Sequence, residues 1–259
     1  MIRFFAEKAD ISNNSVQLST EDISHMRSLR LRPSELFVVC DGEGTDYICK
    51  LGDKGDGSVA EIIDTCKSPG EPSVKCIVYL AFAKGDRLDY AVQKSVELGA
   101  HEVVLFISAR CVSKPSDMQK KITRLQKIAL ETAKQSDRGR VPLISSAESF
   151  DKAISRAAQS DLPLFFYELE NESSLKSVLH KTGKTGDGSL SYEHTDVERT
   201  VPCPTISIMT GPEGGFEPYE AQKAKGAGMM TASLGSRILR CETAPIAALA
   251  AIMFFYDEI

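Results

Sequence analysis

No stretch of the chain approaches the roughly 20 consecutive apolar residues needed to cross a bilayer. Near the start stand Arg3, Glu7, Lys8 and Asp10, where a secretory leader needs an apolar run. A cytoplasmic location with no membrane partner is therefore expected. Cysteine pairs at metal or redox spacing are also lacking. The seven cysteines, at 40, 49, 66, 76, 111, 203 and 241, are odd in number, include no C-x-x-C and form no Cys/His cluster. That excludes a disulfide framework, and no metal is expected. The cysteines are read as reduced and mostly packing residues. Cys241 has the most suggestive neighbourhood, yet no histidine lies near it in sequence, and it is read as structural.

Two nucleotide-binding patterns are missing as well. Gly183-Lys184-Thr185 has the end of a phosphate-binding loop, but Val178 stands where its first glycine is required and no apolar strand precedes it. No G-x-G-x-x-G follows the first strand of the second half, so a Rossmann nucleotide site has no support.

What is present is an ordinary globular composition of 259 residues, 42% hydrophobic and 26% charged, with a net charge of −5. The total charge argues against a nucleic-acid partner; its distribution does not. Between Arg110 and Arg140 nine basic residues face three acidic ones, and Arg27, Arg30 and Arg32 form a second cluster. Such runs either meet phosphates or solvate a helix face, and both readings stay open here.

Residues 1–70 hold short candidate strands (2–5, 36–40, 46–51 and 59–63) between Gly/Asp turns, which suggests a small β-barrel. Lys67-Ser68-Pro69-Gly70-Glu71-Pro72 reads as a linker. From there strands and helices alternate over residues 73–259: strand 74–82, helix 86–98, strand 103–107, helix 117–135, a short segment near 141–144, helix 148–159, strand 164–168, a helix ending near His180, strand 205–210, helix 217–226, strand 229–234 and helix 243–256. This predicts a mostly parallel sheet covered by helices, with ligands beyond its carboxyl ends. Residues 181–204 are polar and without periodicity, and are expected to be an exposed, flexible insertion.

Two loops carry the chemistry. Strand 205–210 runs into Gly211-Pro212-Glu213-Gly214-Gly215-Phe216, and a helix then opens with Glu217 and Pro218. Glycines let backbone N–H groups approach a ligand closely, and the helix N-terminus adds positive partial charge. Strand 229–234 ends in a second glycine turn, Leu234-Gly235-Ser236-Arg237-Ile238-Leu239-Arg240-Cys241-Glu242-Thr243-Ala244. Two such loops on successive strands can wall one pocket, apolar at Leu234, Ile238 and Leu239 and polar at its backbone amides, which suits an adenine ring.

The paired motifs Gly211-Pro212-Glu213-Gly214-Gly215 and Leu234-Gly235-x-Arg237-Ile238-Leu239-Arg240-x-Glu242-Thr243-Ala244 resemble the signature of the RsmE family, the SPOUT-class 16S rRNA uridine-N3 methyltransferases. The likeness spans most of the chain: Arg3-Phe4-Phe5, His25 to Leu31, Asp41-Gly42-x-Gly44, Lys84-Gly85-Asp86-Arg87, Gln93-Lys94, Glu97-Leu98-Gly99, Arg110, Gln135-Ser136-x-Arg138 and Val141-Pro142. It implies a PUA-like β-barrel for RNA, then a trefoil-knotted α/β domain that binds S-adenosylmethionine and forms a homodimer. The donor is expected on Gly211, Pro212, Glu213, Gly214, Gly215, Leu234, Gly235, Ile238, Leu239 and Thr243, with Phe166, Tyr167 and Glu168 closing a third side. Arg240 is expected to donate hydrogen bonds to the uracil carbonyl oxygens, where charge grows; an ion pair with Glu242 or Glu213 is its structural alternative. Glu213 is the nearest candidate base, provided burial raises its pKa, with a backbone-orienting role or loss of the proton to water as alternatives. Arg3, Arg27, Arg30, Arg32, Lys84, Lys94, Arg110, Gln135 and Arg138 are the candidate RNA contacts, and His25 is read as an RNA contact or a packed side chain. A related tRNA ribose 2′-O-methyltransferase and a non-catalytic RNA-binding or ribosome-assembly factor are the competing readings.

Overall fold

The computed structural model describes residues 1–12, 14–32, 34–52, 58–112, 114–147, 149–182 and 204–259. The chain packs as two compact units, Met1–Glu71 with Leu130–Val141 and Pro72–Ala129 with Pro142–Ile259. The insertion expected at 181–204 falls almost wholly outside the described residues.

The first unit contains β1 (Arg3–Phe5), β2 (Ser15–Gln17), α1 (Thr20–Ser28), β3 (Phe37–Cys40), β4 (Thr45–Leu51) and β5 (Val59–Lys67), with the strands in the order β1-β3-β4-β5-β2. β1 runs parallel to β3 and the other pairs are antiparallel. No ladder joins β1 to β2 among the described residues, so the expected barrel is here an open order of five strands. Its core holds Phe4, Val16, Phe37, Val39, Cys49 and Ala60, closed by Met26 from α1. The sequence signal for α1 is Ser19, whose hydroxyl accepts the Asp22 N–H at 3.1 Å and satisfies one of the orphan donors of a helix start.

The return of residues 130–141 to this unit departs from the continuous second half expected, and a buried ion pair explains it. Arg138, only 2% exposed, donates from Nε and Nη2 to the two Glu71 oxygens at 2.8 and 2.9 Å. Glu71 Oε1 also accepts the N–H groups of Gly139 and Arg140, at 2.9 and 3.0 Å. Arg138 is thereby withdrawn from RNA. Arg3 is a second correction of the same kind: it is buried, with its fork on Asp46 at 2.6 and 2.7 Å. Bidentate pairing of this sort offsets the cost of burying a guanidinium, and burial keeps both arginines from a phosphate in solution.

The second unit alternates strands and helices: β6 (Lys75–Ala81), α2 (Arg87–Glu97), β7 (Glu102–Phe106), α3 (Met118–Gln135, grouped with the first unit from 130 onward), β8 (Leu143–Ser146), α4 (Phe150–Ala157), β9 (Leu162–Phe166), α5 (Leu175–Thr182), β10 (Thr205–Thr210), α6 (Pro218–Gly226), β11 (Met230–Ala232) and α7 (Thr243–Phe255). Six parallel strands lie in the order β11-β9-β10-β6-β7-β8. Their apolar runs are buried, as a parallel sheet covered on both faces requires. Tyr79, Phe106, Phe165, Met209 and Phe216 pack with the alanines of α4 and α6, while α7 lies on β10 and β6 beside α2 and α5. α7, apolar from Ala244 on, buries Pro245, Ala248, Leu249, Ile252 and Met253 there and leaves Ala251 and Phe254 exposed. No helix among the described residues is long and apolar enough to cross a membrane.

β9 begins two residues earlier than its apolar pattern suggests, because Pro163 argues against a central strand. It fits here because β11 pairs with β9 only over Leu164 to Phe166, so the missing N–H faces no partner on that side. Tyr167 and Glu168 consequently lie in the loop beyond the strand.

Candidate active site

β11, β9 and β10 are neighbours, so the loops that follow Ala232, Phe166 and Thr210 meet at the carboxyl edge of the sheet. They enclose a cavity of about 590 Å³. Every residue expected on the donor except Thr243 lines it: Phe166, Tyr167 and Glu168 from the β9 loop, Gly211 to Gly215 from the β10 loop, and Leu234, Gly235, Ile238 and Leu239 from the β11 loop. Thr243 is corrected. Its N–H and that of Ala244 both donate to the Arg240 carbonyl at 2.9 Å, starting α7, and this turn carries the threonine off the cavity wall.

The β10 loop is fixed from two sides. Gly215 has φ +68° and donates its N–H to the Pro212 carbonyl at 2.9 Å. A Cβ on Gly215 would run into the Glu168 carboxylate, and the same carboxylate accepts the Phe216 N–H at 3.1 Å. Beneath the loop Phe216, 1% exposed, packs its ring 4.3 Å from that of Phe165. α6 then begins with a capping box between Glu217 and Glu220 and a proline at its first position.

The β11 loop is more open. Gly235, at φ +105°, donates to Ser233 Oγ at 3.1 Å. The backbone N–H groups of Arg237, Ile238, Leu239 and Arg240 make no hydrogen bond among the described residues. Ile238 is 85% exposed at the cavity mouth. Arg240 is exposed, and its guanidinium makes no ion pair or hydrogen bond among the described residues, so the pairing with Glu213 or Glu242 weighed from sequence is absent. These backbone donors and this cation line the cavity free of internal hydrogen bonds, so a ligand can take them without breaking one.

Both carboxylates are otherwise engaged. Glu213 Oε1 accepts the Lys84 N–H at 2.8 Å and Arg87 Nη1 at 3.0 Å, while Oε2 is buried without a partner. Burial pushes this carboxyl up, but the hydrogen bonds from the Lys84 amide, its own amide and Arg87 outweigh it and leave the group below its ordinary range. The raised pKa expected of a base is therefore not what this environment produces. Glu242 accepts the Cys241 thiol at 3.1 Å. Burial, followed by that contact and the nearby carboxylates, pushes the thiol up to about 12, so Cys241 stays protonated and inert.

Sequence reasoning missed Arg87, Glu170, Asn171 and Ser233, which also line the cavity. Arg87 closes the Lys84-Gly85-Asp86-Arg87 motif, but nothing local linked it to Glu213, 126 residues away. Glu170 is buried, and Thr231 Oγ1 donates to it at 2.6 Å. That hydroxyl, with the Glu172 and Ser173 amides and Lys225 behind it, overcomes burial and holds the group down to about 2. A depressed carboxyl stabilises the fold above its unfolded pKa and loses that contribution as pH falls through its folded pKa. Urea unfolding should accordingly lose stability between the ordinary 4.5 and about 2. Glu170→Gln is expected to flatten that acid limb; an unchanged limb would refute the assignment.

Of the other expected RNA contacts, Arg27, Arg30, Arg32, Lys84 and Gln135 are exposed. Lys94 pairs with Glu97 at 2.7 Å, and Arg110 with Glu217 at 2.8 Å. Much of the basic run is likewise paired: Lys121 and Arg124 both meet Asp89. No group of three or more His, Cys, Asp or Glu that could hold a metal exists among the described residues.

Residues 70–253 match the RNA methyltransferase domain family, and residues 18–63 match the RNA methyltransferase PUA domain. A Bacillus subtilis protein named ribosomal RNA small subunit methyltransferase E is 31% identical, over 98% of this chain and 96% of its own. The Mesomycoplasma hyopneumoniae protein of the same name is 30% identical, over 95% and 96%. A crystal structure of the Neisseria gonorrhoeae protein of that name, bound to S-adenosyl methionine, superposes with a TM-score of 0.79 at 29% identity, covering 98% of this chain and 97% of that one. On matches that run from end to end of both sequences and both folds, the chain belongs to the ribosomal RNA small subunit methyltransferase E family of RNA methyltransferases.

Proposed function

We propose that the chain transfers a methyl group from S-adenosylmethionine to N3 of one uridine in the 16S RNA of the small ribosomal subunit. The observation that carries this reading is the single cavity between two glycine turns on neighbouring parallel strands, with unpaired amides along one wall. Its volume, about 590 Å³, lies within the range of small-molecule sites. Phe166, Pro212, Leu234, Ile238 and Leu239 suit an adenine face, the amides of residues 237–240 its polar edge, and Glu168, Glu170, Glu213 and Glu242 a cationic sulfonium. Gly215 supplies a close approach that a side chain would fill. The donor, when bound, supplies an electrophilic methyl group.

The remaining chemistry falls to the protein. Uridine N3 becomes a good nucleophile only as its weakly acidic imide proton leaves. Arg240 donates charge-assisted hydrogen bonds to the uracil carbonyl oxygens, where the resulting charge collects. Glu213, ionised and hydrogen-bonded, anchors Arg87 and the Lys84 turn, and the imide proton is lost to water. Positioning of the base against the donor, which can lower a barrier by roughly 7–11 kcal/mol, comes from the two loops.

The first unit grips RNA through the exposed Arg27, Arg30, Arg32 and Gln135, and Lys84 is the second unit's own exposed candidate. Binding should fall steeply with salt, and alanine at the three clustered arginines should lower the log–log salt slope by about 2; salt-insensitive binding would make the cluster a solvated face. We further infer a trefoil knot, a homodimer and a cytoplasmic location. The knot is supported by the strand order, in which the chain leaves edge strand β11 and lays α7 back over β10 and β6 beside α5. The dimer is supported by Phe254, a large apolar side chain 73% exposed on α7, whose opposite face is buried.

Methyl transfer from labelled donor to unmodified small subunits, followed by nucleoside mass spectrometry, is expected to yield 3-methyluridine. A ribose-methylated nucleoside would point to the 2′-O reading, and no transfer to a non-catalytic factor.

A further inference from the structure

Arg110 was expected to meet RNA, yet its whole fork faces inward onto the loop that shapes the cavity. The turn after β7 closes when Cys111 donates its N–H to the Ser108 carbonyl at 3.2 Å, which presents Arg110. Nε and Nη2 then donate to the two oxygens of Glu217 at 2.8 and 3.0 Å, and Nη1 to the Gly214 carbonyl at 2.9 Å. Beside it the Ala109 N–H donates to Glu220 Oε1 at 3.0 Å. Glu220, 1% exposed, in turn accepts the Glu217 N–H at 2.9 Å. Packing is equally close: a Cβ on Gly214 would lie 3.1 Å from that of Arg110.

These contacts act on one peptide group. The Gly214 carbonyl is held by Arg110, and the N–H at the other end of that peptide, that of Gly215, is held by Pro212. Flanked by two glycines, this peptide has little steric barrier to flipping. Holding both ends fixes Gly215 in its left-handed conformation beside Glu168. The ion pair itself is about 40% exposed and adds little to global stability.

We propose that Arg110 is a positioning residue for the methyl donor, setting the loop of residues 211–217 in the shape the donor needs rather than contacting RNA. The proposal rests on the methyltransferase reading above. Only a planar fork reaches both Glu217 and the Gly214 carbonyl, so lysine should not replace it.

The test is calorimetric titration with S-adenosylmethionine, together with steady-state kinetics and RNA binding across salt concentrations. Arg110→Ala should weaken donor affinity and raise its KM about tenfold or more, as lost preorganisation does. Turnover at saturating donor, melting temperature and RNA salt slope should stay near wild type. Adding Glu217→Gln to Arg110→Ala should cost nothing further, because the two act as one unit. Wild-type donor affinity in Arg110→Ala would overturn the proposal, as would a salt slope lowered by about 1, the mark of a lost phosphate contact. Failure of the wild-type protein to bind donor would instead overturn the methyltransferase reading on which it rests.

Discussion

Arg240→Ala is expected to slow methyl transfer on the order of 10²–10³-fold, the usual cost of removing a donor aimed at developing oxyanion charge. Donor and RNA affinity should stay close to wild type. The expectation follows from what surrounds the side chain. Its carbonyl is pinned by the Thr243 and Ala244 N–H groups at 2.9 Å, so the residue is anchored at the start of α7 while the guanidinium stays exposed. The carboxylates that could neutralise it are occupied, Glu213 by Arg87 and Lys84 and Glu242 by the Cys241 thiol. A guanidinium with no hydrogen bond or close ion pair among the described residues can turn to substrate oxygens without breaking one. Arg240→Lys keeps the charge without the fork and should fall between the two. Undiminished turnover by Arg240→Ala, with donor and RNA bound normally, would refute the role.

Gly215→Val is expected to abolish donor binding while the protein stays folded. At φ +68° a β-branched residue is strained by roughly 1–2 kcal/mol, a small part of the roughly 5–15 kcal/mol that holds a domain together. Global stability should therefore survive. The local consequence is larger: the new Cβ runs into the Glu168 carboxylate, which must move and release the Phe216 N–H. Both walls of the cavity shift together. Calorimetry should find no donor binding in a variant whose circular dichroism is near wild type and whose melting temperature falls by about 10 °C or less, and unchanged affinity would contradict the account.

The parts of the site that lay in the sequence share one property: their signal is local. Glycines directly after an apolar strand announce a turn, and two such turns on successive strands announce a pocket, so Gly211 to Gly215 and Leu234 to Leu239 could be placed before any coordinates. What could not be read depends on distant partners. Arg3 and Arg138 look like any other arginines among basic neighbours, and only the fold brings Asp46 and Glu71 onto them. Arg110 likewise shows nothing in its own sequence neighbourhood of Glu217 or the Gly214 carbonyl, more than a hundred residues away. Thr243 follows the β11 loop directly, but one helical turn separates adjacency in sequence from adjacency in space. In the fold, the alternation of strands and helices in the second unit was legible from periodicity. The three-residue β2 and the polar helix α1 were too short or too weakly apolar to register.

The central claim is that the glycine turns after β10 and β11 together hold the methyl donor. A crystal structure of the protein soaked with S-adenosylmethionine measures this directly. The ligand is expected between the two turns, with adenine hydrogen-bonded to the backbone of residues 237–240 and the sulfonium near the Glu213 side. Ordered ligand elsewhere on the molecule, or both turns left untouched at saturating concentration, would contradict it.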